Sequence, residues 1–237
     1  MTWGLRICSS LLCAAAVSGA TLHGRVELRD SKEAAVRKKK DFSGVVIWLE
    51  PVSGRPLHSP AVRARMIQKD KTFSPHILAV PTGAVVDFPN FDPIFHNVFS
   101  TYDGQLFDLK LYPPGKSESV TFTRPGIVRV FCNIHSAMSA VIAVLDTPYF
   151  DVSKREGAFE IRDVPAGEYR LHVFHERATP ATLDELGRRM SVDGDELELP
   201  PIAISESGYL PIPHMNKFGR PYSQPPDDGS VYPAVRK

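Results

Sequence analysis

The chain has 237 residues, with 28 basic and 27 acidic side chains and a formal net charge of +1. So even a balance gives no electrostatic reason for nucleic acid or an anionic membrane to be a main partner. Beyond the first twenty residues no stretch supplies the 18 or more apolar residues that a membrane span needs.

Those first twenty residues, "MTWGLRICSSLLCAAAVSGA", carry one charge, Arg6, ahead of an apolar run ending in small residues. The layout predicts a secretory signal peptide over 1–20, and so an exported protein, periplasmic or secreted. Cleavage would remove Arg6 and make the two charge counts equal. It would also remove Cys8 and Cys13, leaving Cys132 as the one thiol. A lone cysteine in an oxidising compartment has no internal disulfide partner, and needs either burial or a ligand.

Residues 21–61 contain the strand-like runs "LHGRVELRD" and "GVVIWLEPV", separated by "SKEAAVRKKK", whose basic stretch reads as a solvated helix face or loop. Residues 62–146 carry "HILAV", "AVVDF", "SVTF", "IVRVF" and "AVIAVL", punctuated by turns such as "FPNFDP" and "YPPG". Residues 147–204 add "AFEIRDV" and "YRLHVF", with a predicted helix in "TPATLDELGRRM". From 205 to 237 the chain is rich in Pro and Gly with no periodicity, and reads as an extended or disordered tail. Short strands spaced by turn residues predict an all-β protein of sandwich or barrel units.

The chemistry concentrates in "FCNIHSAM", where Cys132, His135 and Met138 stand three residues apart on a loop between two strand-like runs. A second loop, "FPNFDPIFHNVFS", offers His96 at the close of a Pro-rich turn. Three readings compete on these residues. Cys132 is a packed core thiol beside an incidental histidine. The site holds structural zinc, which usually takes several Cys or His and gains little from a Met. Or it holds copper, which suits a thiolate, two imidazoles and a weak thioether. The other histidines read as bystanders: His76 as a core or surface residue, His23 and His58 as surface residues, and His172, His175 and Glu176 as an exposed strand end. His214 and Met215, in the tail, would bind copper at most loosely. With no His-x-His pair and no Cys-x-x-Cys-His, neither a trinuclear copper cluster nor haem c is expected. No Ser/His/Asp set or paired carboxylates suggest an enzyme.

The run from about Val62 to Asp146 pairs "FSPHILAVPTGAVVDFPN" and "HNV" with "GIVRVFCNIHSAM". It resembles the cupredoxins, Greek-key β-sandwiches that carry one type-1 copper. The resemblance implies His96, Cys132 and His135 as equatorial ligands and Met138 as the axial one. It also implies Asn97 as an outer residue tying the two ligand loops together. The Cys-x2-His-x2-Met spacing is similar to that of amicyanin; no Pro precedes His135, and Ser139 replaces the Gly that often follows the Met. On either side, "LHGRVELRD", "SGVVIWLEP" and "VPAGEYRL" resemble carboxypeptidase regulatory-like (transthyretin-like) units. That implies a second, smaller β-sandwich of 21–61 and 147–204, with the copper unit inserted between its halves. The function implied is non-enzymatic electron transfer with redox partner proteins. A copper-delivery accessory protein and a non-metal binding module are the alternatives.

Overall fold

Alternation of apolar and polar residues marks many of the strands of this chain, described in a computed structural model for residues 19–53, 62–101, 104–211 and 213–222. The expected signal peptide (save Gly19 and Ala20), His58, and the tail from 223 to 237 lie outside the described residues. Strands β1 (Ala20–Arg29) and β2 (Val46–Pro51) flank a short helix, α1 (Ala34–Lys39). There follow β3 (Arg63–Arg65), β4 (Ile67–Lys69), β5 (Thr72–Ser74), β6 (Ile77–Pro81) and β7 (Val85–Pro89). Next come β8 (His96–Ser100), β9 (Phe107–Tyr112), β10 (Ser117–Thr121), β11 (Gly126–Phe131) and β12 (Ser139–Leu145). The last group is β13 (Phe150–Val152), β14 (Ala158–Val164), β15 (Gly167–Phe174), α2 (Pro180–Leu186), β16 (Arg188–Val192), β17 (Glu196–Glu198) and β18 (Ile202–Ser205). The fold is all-β, and Thr179 and Pro180 start the second helix as N-cap and first-turn residues.

The two N-terminal strands pair with strands late in the sequence. β1 lies between β14 and the parallel partners β17 and β18, while β2 lies between β13 and β15. Register pairs such as Leu22↔Ile161 and Leu49↔Leu171 bring their side chains into one apolar core. The strands between form three further sheets, β10-β7-β3, β6-β12-β11-β8-β9 and the two-stranded β4-β5, with Phe88, Val98, Phe122, Val130 and Ile142 in a second apolar core.

Strand β12 explains how the two halves meet. Its even residues Ala140, Ile142 and Val144 face the second core, and its odd residues Val141, Ala143 and Leu145 face Val46 and Phe174 across a third apolar cluster. A strand covered on both faces needs a continuous apolar run, and "SAVIAVL" supplies one.

The same sheet sets the position of the candidate site. β11 and β12 pair in register from Gly126↔Val144 to Phe131↔Ser139, which leaves residues 132–138 as the connecting loop. Phe131 also pairs with Phe99 of β8, and the antiparallel sense carries the chain from there toward the His96 end of β8. All five residues of β8 are buried. Burying Val98 and Phe99 contributes about 1.5–3 kcal/mol each, so His96 projects from a firmly held strand.

Candidate metal centre

The loop after β11 closes on itself through its main chain. The Cys132 N–H donates to the Met138 carbonyl at 3.2 Å, and the Met138 N–H donates to the His135 carbonyl at 3.0 Å. That curl turns the Cys132 sulfur inward, where its Sγ lies 3.7 Å from His135 Nδ1 and 3.8 Å from His96 Nδ1. The three donor atoms lie within 4.8 Å of one another. Metal–sulfur and metal–imidazole bonds of about 2.3 and 2.1 Å, opened to between tetrahedral and trigonal angles, would separate S and N by about 3.6–3.8 Å. The observed spacing fits two imidazoles and one sulfur around a single ion.

Electrostatics prepares the sulfur to be a ligand. Burial alone would raise the Cys132 thiol. The His135 and His96 imidazoles and the backbone N–H groups of Asn97 and Ile134 outweigh it and hold the thiol at about 5. A thiolate at neutral pH is the form that binds metal. His96 is fully buried, and half-buried His135 is the imidazole nearer to solvent.

His96 is oriented from behind. Its Nε2 donates to Asp92 Oδ2 at 2.7 Å, which turns Nδ1 toward the Cys132 sulfur. Asp92 is nearly buried, and accepts further bonds from the Asp70 N–H at 2.6 Å and the Lys71 N–H at 2.9 Å. Asp70 and Lys71 form the two-residue turn of the β4–β5 hairpin, both at a φ of 54°. That left-handed turn aims consecutive N–H groups at one carboxylate. Burial works against the charge on Asp92, but Lys71, His96 and Asp70 hold its carboxyl below the usual range.

Of the residues expected at the site, His96, Cys132 and His135 converge. Met138 is fully buried in the apolar cluster that also holds Cys132. Asn97 acts differently from expectation. Its side-chain amide donates to Asp108 Oδ1 and the Lys110 carbonyl, both at 2.8 Å, and so ties β8 to β9. The link from Asn97 to the ligand loop runs through its backbone N–H to the Cys132 sulfur.

The other histidines occupy separate places. His76 pairs with Glu176 at 2.9 Å, and His172 pairs with Glu50 and stacks on Trp48. His175, expected at an exposed strand end, is 2% exposed and bonded to Glu206 at 2.9 Å. The tail, expected to be extended or disordered, is held against the site as far as Tyr222: His214 stacks on Phe131, and Tyr222 donates to the Cys132 carbonyl at 2.8 Å. Sequence reasoning also missed Asp92, although its place four residues before His96 in a Pro-rich turn was a usable signal.

No protein-family model and no curated protein matches the chain in sequence. Among solved structures, the chain is similar to a purple cupredoxin from Nitrosopumilus maritimus. The identity is 23%, covering 35% of this chain and 99% of the other, with a TM-score of 0.32. A copper-containing nitrite reductase from Thermus scotoductus is 25% identical over 40% of this chain and 25% of its own, with a TM-score of 0.33. Amicyanin from Paracoccus versutus is 17% identical over 41% of this chain and 97% of its own, also with a TM-score of 0.33.

Proposed function

We propose that the chain is an exported electron carrier holding one copper ion through His96, Cys132 and His135, with Met138 as a weak fourth ligand. One observation carries the reading: two imidazole Nδ1 atoms stand at 3.7 and 3.8 Å from a fully buried sulfur. Among the described residues no further His, Cys, Asp or Glu joins this group, which leaves structural zinc short of its usual four donors. A thiolate with a buried thioether nearby favours a soft ion instead.

Copper in such a site would supply a one-electron change between Cu(I) and Cu(II). The residues supply rigidity. Asp92 fixes the His96 ring, the Asn97 and Ile134 N–H groups fix the sulfur, and the loop's own hydrogen bonds fix His135. A site whose donors are held in place changes little between oxidation states, as electron transfer needs. His135, the more exposed ligand, faces the redox partner protein. The second sandwich braces the first through the apolar cluster around Val46, Val141 and Phe174.

The test is a copper titration of the chain and of Cys132→Ser. The chain should bind one equivalent with an intense visible charge-transfer band, and the variant should remain folded and show no band. A variant that keeps the band would remove Cys132 from the site.

A further inference from the structure

We propose that the chain beyond β18, residues 206–211 and 213–222, is a strap that closes over the ligand loop and governs access to Cys132. The geometry of the strap stands by itself, while its role in metal entry rests on the copper reading above.

The strap has a fixed base. Glu206, 6% exposed, accepts from His175 Nε2 at 2.9 Å and Arg177 at 3.1 Å through Oε1, and from the Ser31 hydroxyl at 2.7 Å through Oε2. Its backbone N–H donates to the Arg29 carbonyl at 2.9 Å. This base lies in the β1/β18 sandwich, away from the ligands.

The far end is a clasp made on the ligand loop itself. The Tyr222 hydroxyl donates to the Cys132 carbonyl at 2.8 Å, and His214 Nε2 donates to the Ser136 carbonyl at 2.8 Å. The Lys217 N–H donates to Asn133 Oδ1 at 2.9 Å. The His214 ring stacks on Phe131, with centroids 4.0 Å apart at 25°. Lys217 Nζ reaches Asp108 Oδ2 at 3.0 Å, the carboxylate that also accepts from Asn97. One short segment therefore touches Phe131, Cys132, Asn133 and Ser136, and reaches the β9 residue that holds Asn97 beside His96.

Between base and clasp the strap is lightly held. Leu210 is 73% exposed, and Gly208 has a φ of 80° that favours glycine. This stretch roofs a cavity of about 360 Å³ lined by His76, Arg129, Phe131, Glu176, Leu210 and His214. Rigid base, loose span and polar clasp are the parts of a segment that opens from its tip. The clasp bonds are also ones that water replaces at modest cost, so opening does not require the sandwich to unfold.

The experiment uses the full chain without metal, with Tyr222→Phe, Lys217→Ala and the double variant His214→Ala/Tyr222→Phe. Maleimide labelling of Cys132, located by peptide mass so that Cys8 and Cys13 do not interfere, reads opening. Hydrogen exchange of the 133–138 amides is the second readout. Tyr222→Phe, which loses one neutral clasp bond, should speed labelling about two- to tenfold, the double variant should exceed it, and Lys217→Ala, which loses the ion pair to Asp108, should also speed labelling. Cu(II) uptake should accelerate in parallel. Unchanged labelling and exchange rates, or a lower melting temperature without a faster rate, would overturn the strap. Faster labelling in a chain that takes up no copper would uphold the strap and defeat the copper reading instead.

Discussion

Replacing Asp92 by Asn removes one oxygen and one charge while keeping the shape of the side chain. The carboxylate now accepts three bonds: His96 and Lys71 on Oδ2, Asp70 on Oδ1. An amide has two ways to sit there, and both lose. With its oxygen toward His96 and Lys71, its NH2 meets the Asp70 N–H, donor against donor. With its oxygen toward Asp70, the NH2 faces both Lys71 and His96, and it satisfies His96 only if the ring moves its proton to Nδ1. That proton would occupy the nitrogen that faces Cys132. At least one charge-assisted bond disappears in either arrangement, a loss of about 1.5–3 kcal/mol from the metal-free protein. Metal affinity should fall further, by about 10- to 100-fold, because the ring is no longer fixed from behind. Urea unfolding of the metal-free chain measures the first quantity, and competitive copper titration against a chelator of known affinity measures the second. An Asp92→Asn variant with unchanged stability and unchanged affinity would refute the claim that Asp92 orients His96.

Met138→Gln should lower the reduction potential by offering a harder oxygen, and Met138→Leu should raise it by removing the donor. The Leu variant nearly conserves volume and should cost less than about 1.5 kcal/mol, so voltammetry can be run on folded protein; an unmoved potential in both would make Met138 a packing residue only. The His76–Glu176 pair should give stability a pH signature. The hydrogen bond that His76 donates to Glu176, working against burial, raises His76 above its ordinary 6.5, so that part of the stability is complete below 6.5 and lost as pH rises through the raised value. Glu176, which burial would raise but His76 holds below 4.5, loses its contribution only as pH falls through its lowered value. The pair is therefore strongest between about pH 4.5 and 6.5, and the stability gap between the chain and His76→Gln should be wider at about pH 5.5 than at about pH 8.5. A gap independent of pH would show that the pair is not ionic. Buried His175 has its pKa lowered and changes stability in the opposite sense below 6.5, but it does so in both proteins and cancels from the gap.

The strands and the three clustered donors were legible because their signals are local. "IVRVF" and "AVIAVL" flank the loop at the observed register, and that loop brings Cys132 and His135 together beside His96 of β8. β8 was harder to read, since "HNVFS" is buried on both faces and short, with no alternation to mark it. Asp92 was missed because, although it stands four residues before His96, its hold depends on the β4–β5 turn, about twenty residues away in sequence, whose two N–H groups it accepts. The tail misled for a related reason. A Pro- and Gly-rich segment has no periodicity, yet His214, Lys217 and Tyr222 each find a polar group on the ligand loop or beside it. Contacts of that kind are set by where the two sandwiches place the chain end, not by the order of residues within it.

The central claim is that Cys132 and two histidines hold one copper ion in a single redox-active site. Visible absorption and electron paramagnetic resonance spectra of the copper-loaded full chain, recorded oxidised and then reduced, test it most directly. The account predicts one copper per chain, an intense thiolate-to-copper band in the oxidised form, and reversible loss of both signals on reduction. Copper that binds without that band, or that is not reduced and reoxidised while bound, would contradict it.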